Sequence, residues 1–390
     1  MSVSVRSQPL VAGVLTSVVG FTSSFAVVLS GLSAMGATRT QSASGLLALC
    51  LVCGVGTMWL SARHRVPVIL AWSTPGAALL ASTGVPEGGW AAAVGAFVVV
   101  GALVLLTALW PRLGELIAAI PTPIAQAMLA GVLLQLCLAP VRGLVAEPWL
   151  VGPVVVAWLA TYIWSPRWAS PVAFAAALAV MGIWLATHGG VSGPIAPVLT
   201  WTTPTLSVGA VLGVALPLYV VTMASQNVPG VAVLSSYGFT APWRPAMTYT
   251  GLGTAVAAPF GGHAVNLAAI TAALSAGPEA GADPARRWLA GQTSGATYLL
   301  LAVGSGAITV VVTTAPIEVI TAVAGLALLA TPASALSAAL GEEGYRLAAV
   351  VTFVVAGSGV IVAGIGAAFW ALLAGLVVGW LDGRHHPRSG

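Results

Sequence analysis

Long apolar segments, separated by short polar or Pro- and Gly-containing stretches, follow one another along the whole chain. A helix needs about 20 apolar residues to cross the hydrocarbon core of a bilayer, whereas a barrel strand needs about ten residues of alternating character. Because unpaired backbone groups cannot face lipid, the continuous segments predict transmembrane helices. They cover residues 10–35, 41–62, 67–83, 89–110, 122–139, 148–164 and 168–188, and then 208–235, 243–258, 260–277, 286–312, 316–338, 346–363 and 366–381.

These fourteen segments predict an all-α polytopic membrane protein, with seven segments on each side of the more polar stretch "GGVSGPIAPVLTWTTPTLS". Composition agrees, since 58% of the residues are hydrophobic, 6% are charged and the mean hydropathy is +1.01. A soluble core of this size would not be so poor in charge. The first segment is longer than the apolar part of a signal peptide, so we interpret it as the first transmembrane helix.

The basic residues indicate the orientation in the membrane. All 13 are arginines, and they occur mostly singly between apolar segments, which does not favour nucleic-acid binding. With the N-terminus in the cytoplasm, only Arg39 and Arg142 fall in outer loops. The inner loops and tail contain Arg6, Arg63, Arg65, Arg112, Arg167, Arg244, Arg286, Arg287, Arg346, Arg384 and Arg388. Since inner loops of membrane proteins are enriched in Lys and Arg, we predict that both termini are cytoplasmic and that residues 189–206 lie outside.

The two halves of the chain resemble each other in three places. "PTPIAQAMLAGVLL" (121–134) is similar to "TAPIEVITAVAGLALL" (314–329), and "AVVLSGLSAMGAT" (26–38) is similar to "VAVLSSYGFT" (231–240). The third segment of each half is the one interrupted by Pro, Gly and polar residues. Because an odd number of spans per half inverts the second copy, the sequence predicts a 7+7 inverted repeat.

The third segment contains "AWSTPGAALL", which places two hydroxyls, a proline and a glycine where a membrane helix would run unbroken. Pro75 suits the first turn of a helix, and residues that precede a proline avoid the α region. We therefore predict that residues 67–72 are extended and that a half-helix begins near Ser73 or Thr74, either of which can cap it.

The tenth segment contains the corresponding interruption, "APFGGHAVNLAAI". Here Gly261 and Gly262 are the predicted break, and we expect a half-helix to begin around His263. In transporters with inverted repeats, paired broken helices direct their N-termini at a substrate near the middle of the bilayer. The alternative is that both interruptions are ordinary kinks, since Pro and Gly are frequent in membrane helices.

Three stretches, "AWSTPGAALL", "VTMASQNVPGVAVL" and "APFGGHAVNLAAITAA", resemble the benzoate:proton symporter (BenE) family, and the likeness extends over essentially the whole chain. That family is related to the uracil permease and sulfate permease carriers. The resemblance implies a fold of fourteen spans with a substrate-holding core domain and a gate domain. The core would comprise residues 1–110 and 207–312, and the gate residues 111–206 and 313–390. Gln226, and His263 or Asn266, stand where uracil permeases have carboxylates, which disfavours nucleobase transport.

A carboxylate substrate needs polar partners at membrane depth. Its burial costs several kcal/mol, and two helix N-termini return only about 0.3–2 kcal/mol each. A hydrogen bond from a protonated histidine adds about 1.5–3 kcal/mol. The substrate-binding residues that we predict are Thr22, Ser24, Trp72, Ser73, Thr74, Gly76, Met223, Gln226, Asn227, Gly262, His263 and Asn266. Candidate walls for the apolar end of the ligand are Phe21, Phe25, Trp72, Tyr219, Met223 and Phe260.

Several of these assignments have simpler alternatives. Thr22, Ser23 and Ser24 either line the cavity or bond back to their own helix. His263 either carries a proton, because the ordinary pKa of histidine is about 6.5, or only supports the glycine break. Glu318 is either a gate residue or a carboxylate favoured by a helix N-terminus.

The function that we predict is proton-coupled uptake of benzoate or a related aromatic monocarboxylate across the inner membrane by alternating access. An anion exchanger or channel of the same fold is the alternative. A membrane-embedded enzyme is disfavoured, because the segments contain no nucleophile–base pair, no paired acids and no set of metal ligands. We expect no metal or cofactor. The expected partners are the carboxylate, a proton and the lipid bilayer, and the sequence leaves a homodimer open.

Overall fold

The computed structural model describes residues 7–110, 112–113, 115, 119–188, 196, 198–269, 271–362 and 365–385. Part of the predicted outer loop, residues 189–195 and 197, lies outside the described residues. In the first half the elements are α1 (Gln8–Ala34), α2 (Arg39–His64), β1 (Leu70–Trp72), α3 (Thr74–Thr83), α4 (Gly89–Leu109), α5 (Thr122–Ala146), α6 (Pro148–Trp164) and α7 (Pro166–Thr187).

The second half continues in the same manner. Its elements are α8 (Val208–Ser236), α9 (Trp243–Ala257), β2 (Val265–Leu267), α10 (Ala272–Ala276), α11 (Trp288–Thr314), α12 (Ile317–Leu328), α13 (Ala330–Leu340), α14 (Arg346–Gly357) and α15 (Ala367–His385). Helix α8 includes two π-helical stretches, Val211–Ala215 and Met223–Asn227. Such insertions are frequent at functional sites.

Seven helices in the described part of the chain are long and apolar enough to cross a membrane, or eight if α12 and α13, which bend by 43° at their junction, form one span. The seven are α1, α2, α4, α5, α7, α8 and the span Pro284–Val312, which includes most of α11. Helices α6 and α15 are shorter but also apolar. The described chain is therefore a mostly helical, multi-span membrane protein.

The interruption predicted in the third segment is present. Residues Leu70–Trp72 form a strand, and α3 begins at Thr74 with Pro75 in its first turn. In the tenth segment the predicted half-helix start at His263 is wrong. There the chain turns at Gly261, runs extended through β2, and begins α10 only at Ala272. The glycine pair ends the preceding helix, and the strand that follows takes up the residues expected to be helical.

The two strands meet in the interior and form an antiparallel pair, with the register Leu70↔Leu267, Ala71↔Asn266 and Trp72↔Val265. We call this pair the strand crossing. Side-chain hydroxyls accept hydrogen bonds from strand N–H groups that have no partner within this short sheet. The Thr57 hydroxyl of α2 accepts a hydrogen bond from the Leu70 N–H, and the Thr254 hydroxyl of α9 accepts one from the Val265 N–H, both at 2.9 Å. Non-helical backbone is tolerated at membrane depth only where protein buries it in this way.

Close helix packing surrounds this crossing. Helix α2 packs on α11 and α4 packs on α9, while α1 packs on both α3 and α11. Gly54 faces Gly295 at the first contact and Gly101 faces Gly251 at the second, so that the backbones touch. Small residues allow such approach between membrane helices. A second group forms around α5, which packs on α12, α13 and α14, with α6 on α7 and α14 on α15.

Candidate functional site

The start of α3 is fixed by Ser73. Its hydroxyl oxygen accepts hydrogen bonds from the Gly76 N–H (3.1 Å) and from the Thr222 hydroxyl of α8 (2.8 Å). The Ser73 N–H donates to the carbonyl of Ala264 beside β2 (2.9 Å). Ser73 and Thr222 are fully buried. This helix start is therefore rigidly attached to both the strand crossing and α8.

Trp72, which precedes this cap, connects the crossing to α1 and α11. Its indole Nε1 donates to the Ser24 hydroxyl of α1 at 2.9 Å. The ring meets Phe21 edge-on at 5.8 Å and Tyr298 of α11 edge-on at 5.7 Å between ring centroids. Aromatic pairs prefer this geometry. The tryptophan is 2% exposed.

A cavity of about 260 Å³ lies beside these residues. Its walls come from the middle of α1, the β1–α3 junction, the start of α7, the π-helical stretch of α8, the chain between β2 and α10, α11, and the bend between α12 and α13. The polar side chains that line it are Ser23, Ser24, Thr74, Arg167, Ser170, Gln226, Thr271, Tyr298 and Thr331. The cavity therefore lies between the two packing groups.

Four of the predicted binding residues line this cavity: Ser24, Trp72, Thr74 and Gln226. Thr22 does not, and its hydroxyl donates to the carbonyl of Val18 in its own helix (2.7 Å). The remaining predicted residues lie behind the cavity wall rather than in it, and they are Ser73, Gly76, Met223, Asn227, Gly262, His263 and Asn266.

The buried amides among these residues support β2. Asn227 accepts from the Leu267 N–H at 2.9 Å and donates to the sulfur of Met223 at 3.1 Å. The Asn266 side-chain oxygen accepts a hydrogen bond from the Ser73 N–H (3.0 Å), and its side-chain nitrogen donates one to the Leu267 carbonyl (2.9 Å). Both side chains are fully buried. In the structure, both side chains therefore hold the strand crossing together.

His263 also lies behind the crossing. Its Nε2 is 3.0 Å from the Ser73 carbonyl oxygen, and its ring meets Phe97 edge-on at 6.4 Å. A carbonyl only accepts hydrogen bonds, so Nε2 carries the proton in this contact. Nδ1 has no hydrogen-bond partner among the described residues. His263 is therefore linked to the cavity indirectly, through Ser73, whose neighbours Trp72 and Thr74 line it.

Part of the cavity wall was not predicted from the sequence. Tyr298 is almost fully buried, and its hydroxyl lies over Gly20, where an added Cβ would be 3.1 Å from that oxygen. The sequence does contain a signal for Tyr298, because Gly291, Ser294 and Gly295 precede it on the same face of α11 at helical spacing. Arg167 was interpreted only as a loop charge, but it lies at the edge of the cavity and is exposed.

The other aromatic residues suggested as ligand walls are used elsewhere. Phe25 packs edge-on against Phe174 at 4.5 Å, and the Tyr219 hydroxyl is hydrogen-bonded to Thr107 at 2.6 Å. Phe260 packs against Trp201 at 5.4 Å. Of the six candidates only Trp72 lines the cavity.

The electrostatics of the cavity favour an anion. Arg167 is the charged residue among the described side chains that line it, and none of those side chains is acidic. The first turn of α3, represented by Thr74 and Pro75, faces the same space. Helix N-termini carry partial positive charge and bind anions.

Residues 4–381 match the sequence model of BenE, described as benzoate membrane transport protein. The chain belongs to the BenE family. This is a family of membrane transporters rather than enzymes, and this chain is therefore a membrane transporter.

Two curated relatives match over nearly their full length. Inner membrane protein YdcO of Escherichia coli is 41% identical over 95% of this chain and 95% of its own. The benzoate membrane transport protein of Acinetobacter baylyi is 30% identical over 94% of this chain and 93% of its own. Among solved structures, the transmembrane domain of the cyanobacterial bicarbonate transporter BicA matches with a TM-score of 0.62 at 14% identity, covering 98% of both chains. That likeness establishes a shared fold.

Proposed function

We propose that this transporter takes up benzoate, or a closely related aromatic monocarboxylate, together with a proton across the inner membrane by alternating access. The observation that carries the proposal is the cavity between Trp72, Tyr298 and the start of α3, in a chain of the BenE family. Its volume of about 260 Å³ lies below the roughly 300–1,000 Å³ typical of sites for drug-sized ligands, which suits an acid with a single ring.

In this proposal the two ends of the substrate use different walls. The ring packs against Trp72 and Tyr298, two buried aromatic side chains that line the cavity. The carboxylate lies towards Thr74 and Gln226, with Arg167 supplying positive charge at the cavity edge. A charge-assisted hydrogen bond contributes about 1.5–3 kcal/mol, so two or three such contacts offset several kcal/mol of desolvation.

We also propose that all fourteen predicted segments cross the membrane as a 7+7 inverted repeat. The two halves provide matching contacts: Thr57 and Thr254 each bond the strand of their own half, and the Gly54–Gly295 contact corresponds to the Gly101–Gly251 contact. The pairing of α6 with α7 corresponds to that of α14 with α15. The two packing groups then correspond to the core and gate domains.

The described contacts support the proposed orientation, with both termini in the cytoplasm. Gln8, Glu279 and Arg167, all predicted to be cytoplasmic, line one cavity at the same end of the molecule. Arg167 also borders the substrate cavity. With this orientation, the substrate site of the described conformation opens towards the cytoplasm.

Proton coupling is the finer part of the proposal, with His263 as the proton carrier. A carboxylic acid with a pKa near 4 is an anion at pH 7, and moving it inwards opposes an inside-negative potential by about 2.3 kcal/mol per 100 mV. One accompanying proton cancels that cost. His263 Nδ1 is the atom that would gain the proton, since Nε2 is engaged by Ser73.

Uptake by the purified protein in liposomes tests the substrate. Labelled benzoate should enter at a saturable rate, and unlabelled benzoate and ring-substituted benzoates should compete, whereas uracil and sulfate should not. Protein-free liposomes provide the background, because neutral benzoic acid crosses lipid unaided. Saturable uracil uptake that benzoate leaves unchanged would refute the proposal.

A further inference from the structure

At the end of α3 opposite to the substrate cavity, two further cavities of about 380 and 500 Å³ adjoin each other. Both are lined by Ala81 near the end of α3, Leu136 of α5, and Ile317 and Thr321 of α12. Because they share these walls, they form one groove between the two packing groups. We call it the outer groove.

The charges of the outer groove come from both groups. Arg39, the first residue of α2, lines one of the two cavities, and Arg142 of α5 lines the other. Both are exposed. They are also the two arginines that the sequence analysis places outside. One acid, the half-buried Glu318 of α12, shares the cavity of Arg142.

The two guanidinium groups are not neutralised by described carboxylates. The Nη2 of Arg142 donates to the Gln135 side-chain oxygen at 3.2 Å, and Gln135 in turn donates to the Gly357 carbonyl at 2.9 Å. This neutral partner orients the guanidinium without cancelling its charge. Neither Arg39 nor Arg142 forms an ion pair with a described residue. The rest of the groove is mainly apolar, including Leu29, Leu136 and Ile320.

Helix α3 connects the groove to the substrate site. Ala81 lines the groove, whereas Thr74 lines the substrate cavity. Seven residues at 1.5 Å per residue separate the two positions by about 10 Å. In the described conformation α3 thus separates an outer space with cationic edges from an inner space that holds the proposed substrate site.

We propose that the outer groove is a capture site for the aromatic carboxylate as it arrives from outside. Arg39 and Arg142 attract the carboxylate, the apolar walls accept the ring, and the substrate passes along α3 when the groove opens to the inner cavity. With two arginines and one acid, the groove has a net positive charge, and a cleft with a field of one sign raises the local concentration and association rate of a ligand of opposite charge. This inference rests on the proposed function, because it takes the same substrate.

The test compares transport from the two faces of the membrane. Right-side-out vesicles present the outer groove to added benzoate, and inverted vesicles present the other face. At low ionic strength, Arg39→Gln and Arg142→Gln should each raise KM at the outer face by about threefold to tenfold, as expected for the loss of a unit charge that acts across a partly aqueous groove. Glu318→Gln should lower it by about twofold to fivefold. All three differences should shrink towards twofold or less in 1 M NaCl, where the screening length is about 3 Å.

Two controls make the result specific. The KM at the inner face should stay within about twofold of the parent, which also shows that each variant is folded. Arg244→Gln, at an exposed arginine at the start of α9, should leave the outer KM unchanged.

If the parent transports benzoate but both arginine variants retain its outer KM and salt dependence, the capture site is refuted. Equal changes at both faces would also refute it, because they would indicate a general structural effect. If the parent does not transport benzoate at all, the proposed function itself fails.

Discussion

Replacing Ser73 with alanine should damage the substrate site through two hydrogen bonds that converge on one oxygen. The Ser73 hydroxyl accepts from the Gly76 N–H in the first turn of α3 and from the buried Thr222 hydroxyl. Loss of an N-cap costs about 1 kcal/mol, and a buried hydroxyl left without a partner costs about 1–3 kcal/mol. Ser73→Ala should therefore lower the free energy of unfolding by about 2–4 kcal/mol.

The second substitution separates the two contributions. Thr222→Val removes the hydroxyl that Ser73→Ala leaves unpaired, so the double variant should regain about 1–3 kcal/mol relative to the sum of the single variants. Because the same cap positions Thr74 at the cavity, the KM for benzoate should rise about tenfold in Ser73→Ala, equivalent to about 1.4 kcal/mol.

Chemical unfolding in detergent micelles and benzoate uptake in liposomes measure these two effects. Ser236→Ala is the matched control, because its exposed hydroxyl bonds, among the described residues, only to the Val233 carbonyl of its own helix; it should change stability by less than about 0.5 kcal/mol. A Ser73→Ala protein as stable as this control, or a double variant with no recovery, would refute the assignment of Ser73 as the anchor of the half-helix.

Three further predictions concern the cavity, the proton and the orientation. Gly20→Ala places a methyl group 3.1 Å from the Tyr298 hydroxyl and 3.5 Å from Thr271 Cγ2, so para-substituted benzoates should lose more affinity in competition assays than benzoate itself; an equal loss for all analogues would count against this wall. His263→Gln should abolish stimulation of uptake by a pH gradient while benzoate exchange persists, and a variant that keeps the parent's pH dependence would show that the proton travels elsewhere. In a Cys-free background, an impermeant thiol reagent added outside should label Glu87→Cys and not Glu279→Cys, both of which are exposed; the opposite labelling would reverse the topology.

The interruption of the third segment could be predicted because its cause is local. Pro75 and the hydroxyls before it restrict the backbone within a few residues, so the strand and the start of α3 follow from neighbouring residues. The tenth segment was mispredicted at His263 because its strand depends on distant partners. Its N–H groups bond to Thr254 and Asn227, and its pairing partner lies in the other half of the chain.

Prediction of the cavity wall from the sequence is limited in the same way, because the wall depends on contacts between distant segments. Trp72 was identifiable because it adjoins the break. The small residues of α11 indicate that Tyr298 lies on a packed face, but its place in the cavity wall depends on α11 packing beside α1, which brings its hydroxyl over Gly20. Arg167 was indistinguishable from other loop arginines until the start of α7 was placed against the bend between α12 and α13. The polar residues near the break were predicted to bind the substrate, but most of them support the strand crossing instead of facing the cavity.

Symport of one carboxylate with one proton moves no net charge across the membrane. Initial rates of benzoate entry into liposomes, corrected with protein-free liposomes, can be measured while a pH gradient and a potassium diffusion potential are imposed separately. An inward proton gradient should accelerate entry, and potentials of about 100 mV of either sign should leave the rate unchanged, because the proton cancels the roughly 2.3 kcal/mol that the anion alone would experience. A rate that follows the potential and ignores the pH gradient would contradict it and identify a carrier or channel for the anion alone.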